Sequence, residues 1–252
     1  MYRLITIIGL LLFSVSCSMF SVKPNELEDK NGVTYLKGTK KAFTGQCIEH
    51  YEDGGNSILC NYKNGLKDGE SRTWYKNKQL KNQGNYINGI KEGIFTDWFE
   101  DGKKGAERNY IHGEENGSWK IWHPNGQIKE VGHYVNGLRD SLWQWYYENG
   151  QKWIEINFKN GNEYGIWHAW FETGEKREEV NYTNGKKDGL WQEWNKEGIL
   201  ISKGLFSRNH ENGNWYGWYN NGKPKFEKLY KDGEVIDQKE WTEDGKLLTI
   251  DN

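Results

Sequence analysis

The 252-residue chain offers chemistry in few places: six histidines, three cysteines, scattered carboxylates and 14 tryptophans. The histidines, His50, His112, His123, His133, His168 and His210, fall at unrelated spacings. A metal site needs converging ligands, and no pair here has a ligand motif, so neither metal nor cofactor is expected. The carboxylates lie in turns and along strand edges. Gly117-Ser118-Trp119 lacks the strand-to-helix setting of a nucleophile elbow. The glycines come one per turn and are not clustered as in a phosphate loop. The expectation is a protein that is not an enzyme and has no catalytic residues. Lys and Arg number 34 against 36 Asp and Glu, with the signs interspersed. Without a basic stripe, nucleic acid is not an expected partner.

Cys17 closes a motif of another kind. Arg3 precedes an apolar run from Leu4 to Phe13, followed by Ser14-Val15-Ser16 and then the cysteine. A positive start, a short apolar stretch and small residues mark a signal peptide over residues 1–16. A cysteine directly after them resembles a bacterial lipoprotein signal, although Ser14 stands where that box usually holds Leu. The resemblance implies lipidation of Cys17 as the first mature residue. It implies an extracytoplasmic protein, anchored to a bacterial membrane at the outer membrane or cell surface. The competing reading is an uncleaved anchor from Leu4 to about Phe20, short for a span of about 20 residues. Residues 17–31, with Pro24 and Glu26-Leu27-Glu28-Asp29, read as a polar tether.

Most of the tryptophans are in phase with one another, so the elements that carry them come next. An aromatic followed by a turn pair recurs every 24 residues, at Tyr62, Tyr86, Tyr110, Tyr134, Phe158, Tyr182 and, after Phe206 with an altered turn, Tyr230. With that aromatic as position 0, Asn-Gly or a substitute holds positions 2 and 3, and Gly holds position 7 except at Ser141. Position 9 carries Trp119, Trp143, Trp167, Trp191 and Trp215. Position 12 carries Trp74, Trp98, Trp122, Trp170, Trp194 and Trp218. A second glycine recurs at position 16, from Gly102 to Gly222. Two turn signals per unit, with aromatic-rich segments between, read as two strands per unit. The expected fold is all-β, an elongated antiparallel β-meander of 24-residue hairpin repeats with about 16 to 18 strands. Residues 32–61 read as a divergent N-terminal cap, 62–229 as seven regular units and 230–252 as a truncated C-terminal cap.

If positions 15 and 16 form a two-residue turn, position 9 faces 22 and position 12 faces 19. Positions 9, 13 and the next 0 then share a mainly aromatic face, with Gly132, Ile156, Val180 and Gly204 opposite the indoles. Aromatic cross-strand pairs hold sheets together, which is the reading for position 9. Position 12 lies on the other face, beside Lys120, Gln144 and Gln192. Its residues, Trp74, Trp98, Trp122, Trp170, Trp194 and Trp218, are the candidate partner-binding stripe, because exposed aromatic stripes mark interaction sites. The same turn logic applied to Asp53-Gly54 sets Cys47 opposite Cys60 at a non-hydrogen-bonded site. In a compartment that permits disulfides the two are a candidate bond; the alternative is a pair of buried thiols.

The unit Tyr-x-Asn-Gly-x-Lys-x-Gly-x-Trp-x-x-Trp-x-x-Asn-Gly resembles the bacterial variant of the MORN repeat over about residues 38–250. Arrays of it are typical of proteins labelled YwqK-type antitoxins of toxin–antitoxin systems. The resemblance implies antiparallel hairpin repeats in an elongated sheet and no catalytic residues. Three functions follow as expectations. The first is a membrane-anchored extracytoplasmic binding or scaffold module that meets a protein through an aromatic-rich sheet face. The second is an antitoxin-like component that neutralises a cognate toxin, which would have to share its compartment. The third is glycan or membrane-surface binding by the stripe, against which the slightly acidic charge balance argues where the lipid is anionic.

Overall fold

The computed structural model describes residues 20–248. Twenty strands form one open meander, antiparallel throughout except where the short strand Ser21–Val22 runs parallel to Gly45–His50. A separate hairpin pairs Leu27–Lys30 with Val33–Leu36. The all-β meander expected from the repeat is the fold observed. The strand number exceeds the expectation because short end strands add to it, Leu247–Leu248 among them. In addition, one strand is broken at Asn212 into His210–Glu211 and Gly213–Trp218.

The turn at positions 2 and 3 explains why the chain folds back there. Asn88-Gly89 has φ of 50° and 83°, and Asn136-Gly137 has 50° and 74°. Both residues are left-handed, as a type I′ turn requires, and Asn and Gly are the residues that tolerate it. The altered pair Arg208-Asn209 adopts the same geometry at 51° and 76°.

The second turn is not the two-residue turn expected. Phe99 N–H donates to Lys103 O at 2.8 Å, Gly102 N–H donates to Phe99 O at 2.9 Å, and Gly102 has φ 84°. This is a three-residue loop, a type I turn closed by a left-handed glycine. The return strand then carries a one-residue bulge: Trp98 pairs with Lys104, but Asp97 pairs with Ala106. The two irregularities cancel. Position 9 therefore does face 22, with Trp119 opposite Gly132 and Trp143 opposite Ile156. Position 12 faces 18 and not 19, as in Trp122–Ile128 and Trp170–Lys176. Position 7 has its own cause: the ladder slips between Glu115 and Trp119, and Gly117 within the slip has φ 97°.

Alternation along these ladders puts positions 0, 5, 9, 11, 20 and 22 on one face, the aromatic face, and 8, 10, 12, 18 and 21 on the other, the mixed face. Trp143 is 0% exposed on the aromatic face, packed with Ile156 and Phe158 among Trp119, Tyr134, Trp145, Trp167 and Tyr182. Tyr134 meets it edge to face at 5.0 Å, a favoured aromatic geometry. The small residues at position 22 seat the indole of the following unit and not that of the facing partner. A Cβ on Gly132 would lie 2.2 Å from Trp143, and one on Gly204 would lie 2.1 Å from Trp215.

Neighbouring units are tied at both rims. The turn glycine donates its N–H to the position-5 carbonyl of the unit before, Gly113 to Lys91 and Gly161 to Arg139. At the other rim the position-13 hydroxyl donates to the position-12 carbonyl of the unit after: Tyr75 to Trp98 at 2.8 Å and Tyr147 to Trp170 at 2.9 Å.

The N-terminal cap folds back onto the first unit. Thr34 N–H donates to Gly65 O at 2.8 Å, and Val22, Phe43, Cys47 and Cys60 are buried. Ser21–Val22 and Leu27–Lys30 are thus strands, where the sequence reads as a polar tether; their apolar members find cover against this unit. Cys17 and the signal segment 1–16 lie outside the described residues.

Candidate binding surface

On the mixed face all six position-12 tryptophans, Trp74, Trp98, Trp122, Trp170, Trp194 and Trp218, are half-buried. The three-residue loop that sets position 18 opposite them decides their surroundings. A position-18 lysine of one unit lies over the indole of the next: Lys104 over Trp122 at 5.9 Å, Lys152 over Trp170 at 5.1 Å and Lys176 over Trp194 at 5.0 Å. Each of these lysines also pairs with the position-21 glutamate of its own strand. Lys152 meets Glu155 at 2.7 Å and Lys176 meets Glu179 at 2.7 Å. Burial raises the Glu155 carboxyl, but hydrogen bonds from Lys152 and Gln144 outweigh it and hold the group below the usual carboxylate range. His168 lies 2.9 Å from Glu179 and stacks on Trp170 at 5.6 Å between ring centres. The stripe is therefore a row of indoles whose faces are largely covered by neighbours.

What the face exposes is a second row. Position 8 holds Ile94 at 60% exposure, Ile166 at 47%, and Leu142 and Leu190, also exposed, with exposed Leu205 opposite Leu190. Leu142, Ile166 and Leu190 recur in consecutive units, about 10 Å apart at two strand spacings each. Sequence reasoning passed over them, although the recurrence of Ile or Leu at position 8 was the available signal.

The cysteine pair stands in the expected register, Cys47 opposite Cys60, and both thiols are free. Cys60 Sγ lies 3.1 Å from Ser71 Oγ. Burial, then the neighbouring Cys60, pushes the Cys47 thiol up to about 11. The expected parity is corrected. The two-residue turn at Lys63–Leu66 makes those flanking residues a hydrogen-bonded pair, and alternation back along that strand turns Cys60 toward Cys47. The pair is thus a hydrogen-bonded one, with Cα atoms about 5.5 Å apart.

The aromatic face holds carboxylates as well. Glu178 and Glu193 are directly opposite each other, and Trp191 Nε1 donates to Glu178 at 2.6 Å. Burial, and after it the charge of Glu178, pushes the Glu193 carboxyl up. Burial likewise raises Glu130 against the pull of Arg139. A cavity of about 800 Å³ beside the first outer turn mixes Glu49, His50, Glu52 and Asp53 with Lys76 and Lys81. Among the described residues no three His, Cys, Asp or Glu side chains converge as a metal site.

The family model of the MORN repeat variant matches residues 67–88, 115–136, 139–160 and 211–232. Each match starts at position 5 of a unit and ends at position 2 of the next, so the chain carries repeats of this type in phase with its hairpins. No curated protein matches. One solved structure that does is described as "Crystal Structure of TcdB2-TccC3-Cdc42", at 13% identity and a TM-score of 0.17, over 85% of this chain and 14% of that one. The chain thus spans about one-seventh of that chain's length, and at this TM-score the likeness says nothing about shape or function.

Proposed function

We propose that this repeat-based binding module is a non-enzymatic scaffold, anchored through a lipidated Cys17 on the extracytoplasmic side of a bacterial membrane, that holds a partner protein along its mixed face. The exposed row Ile94, Leu142, Ile166 and Leu190 carries the reading. Exposed apolar side chains rimmed by polar groups are what protein interfaces use, and here the half-buried tryptophans and Lys–Glu pairs form the rim. A protein suits this surface better than a glycan, because lysines lie over Trp122, Trp170 and Trp194 where a sugar ring would stack. The antitoxin-like role implied by the repeat family is the special case in which that protein is a toxin in the same compartment.

The test is photo-crosslinking in native membranes, with the reactive side chain placed at Leu142 or Ile166 and, as control, at Ser118, the small residue at the same position of an earlier unit. A discrete protein adduct at Leu142 and Ile166 is expected, in membranes from which Cys17→Ala releases the chain. Adducts to lipid or glycan alone, or a chain that stays unacylated by mass spectrometry, would overturn the corresponding half of the proposal.

A further inference from the structure

We propose that the aromatic face is a homodimer interface, in which two copies stack face to face with their arrays running in opposite directions. Position 5 lies on this face, opposite the position-0 aromatic of its own unit, as Arg139 lies opposite Tyr134. From Lys91 its occupants are Lys91, Glu115, Arg139, Glu163, Lys187 and Glu211: the sign alternates through six consecutive units. All six residues are half-buried. They form one lane with about 10 Å between members, two strand spacings. The cations are fixed in place by aromatics. Lys91 lies 4.4 Å from the Tyr110 ring, Arg139 lies 4.5 Å from Trp143, and Lys187 lies 5.0 Å from Phe206.

An alternating lane with an even number of members is self-complementary when reversed. A twofold axis parallel to the strands, set over Lys152–Lys159, lies midway between the strands of Arg139 and Glu163. It sets Arg139 on the second copy's Glu163, Glu115 on its Lys187 and Lys91 on its Glu211. Every contact is between opposite signs, and each occurs twice because the interface is isologous. Moving the axis by half a unit pairs like with like throughout, so the charges select one register. Trp119, Tyr134, Trp145, Trp167 and Tyr182, half-buried in one copy, supply the apolar area between the charges. The same axis sets Glu130 opposite Glu178. Each is already held in its own sheet, Glu130 by Arg139 at 3.5 Å and Glu178 by Trp191 at 2.6 Å.

Lys67 precedes the lane and breaks the alternation. It lines a cleft with Leu27, Asp29 and Thr34 of the N-terminal hairpin, which takes up that end of the face. The lane alternates over the part that the described residues leave uncovered. This interface is independent of the mixed-face proposal, and it leaves both mixed faces directed outward.

Sedimentation of the full chain in mild detergent tests it. The wild-type chain is expected to dimerise at low ionic strength and to loosen as salt rises. Glu115→Lys sets lysine on the second copy's Lys187, and Lys187→Glu sets two glutamates together. Each should weaken dimerisation at least tenfold while the melting temperature holds at dilutions where the wild-type chain is itself monomeric. An equimolar mixture of the two variants, and the double variant, should both restore it, whereas Ile166→Asp on the other face changes nothing. A wild-type chain that stays monomeric, single variants that dimerise as well as wild type, or a mixture that fails to recover would each overturn the proposal.

Discussion

At the residue scale the positions that repeat most strictly are those where the backbone turns left-handed, and two of the exceptions are informative. Ser141 occupies a position-7 slot at φ 60°, and Lys78 a position-16 slot at φ 71°, where other units have glycine. A side chain in this region costs roughly 1–2 kcal/mol. Ser141→Gly and Lys78→Gly are each expected to stabilise by about 1 kcal/mol net of the lost Ser141–Asp140 contact, and to add in the double variant because the sites share no partners. Denaturant melts check this; an unchanged midpoint would sink it. The cysteines make the opposite kind of statement. Their pairing was legible because any even compensation of loop and bulge preserves it, while the parity was not, since it depends on the loop's true length. A Cα separation of about 5.5 Å still lies within disulfide range. The raised Cys47 thiol attacks slowly, so the bond we propose forms only where oxidation is catalysed. Thiol counting on unreduced protein from the native compartment should find Cys47 and Cys60 blocked, with about 3 kcal/mol lost on reduction; two free thiols there would exclude it.

At the scale of the element, one dipeptide does two things. Asn136-Gly137 has both φ positive and makes a two-residue turn, whereas at Asn149-Gly150 only the glycine is left-handed. There Asn149 Oδ1 accepts from Gln151 N–H at 2.9 Å and its Nδ2 donates to Glu172 O at 2.8 Å. The sequence shows the same pair at both sites, so loop length was the part it withheld, and with it the pairing of position 12. Strand faces were legible because they follow from period alone. What those faces cost was not, as Glu178 opposite Glu193 shows. A carboxyl whose folded pKa is raised binds protons more readily folded than unfolded. Stability therefore falls as pH rises from the ordinary carboxylate range through the folded pKa. Lowering the pH from 7 toward about 5 should raise the melting temperature, until carboxylates held low, such as Glu155, protonate and reverse the trend. Glu193→Gln should raise the melting temperature at neutral pH and flatten that rise in part, the raised Glu130 accounting for the remainder. A profile unchanged by Glu193→Gln would show that the like-charge pair costs nothing.

At the scale of the whole molecule the array separates folding from association. Stability in a repeat sheet is a sum of units and their contacts with neighbours, and the rim bonds here join each unit only to the next. Deleting Tyr134 to Asn157 removes one period and brings position 0 back to position 0, so Gly161 N–H meets the Glu115 carbonyl in place of Arg139's. The product should fold and melt somewhat lower, since it loses the buried Trp143 but keeps Trp119 beside Trp167. Its lane, however, now reads Lys91, Glu115, Glu163, Lys187, Glu211, with two acids adjacent. Reversal keeps Lys91 on Glu211 and Glu115 on Lys187 but sets Glu163 on itself at the centre, so the dimer should weaken. Deleting two periods, Tyr134 to Asn181, leaves Lys91, Glu115, Lys187, Glu211, which is again even, alternating and complementary to its own reverse. The shorter chain keeps the same four contacts, two-thirds of the original, without the central clash, so it should dimerise at least as tightly as the longer deletion product though more weakly than the intact chain. Melting and sedimentation of the three lengths decide it. Association that declines steadily with length would remove the charge lane from the account and leave only the aromatic area, while a one-period deletion that fails to fold would break the unit-by-unit description of the sheet itself.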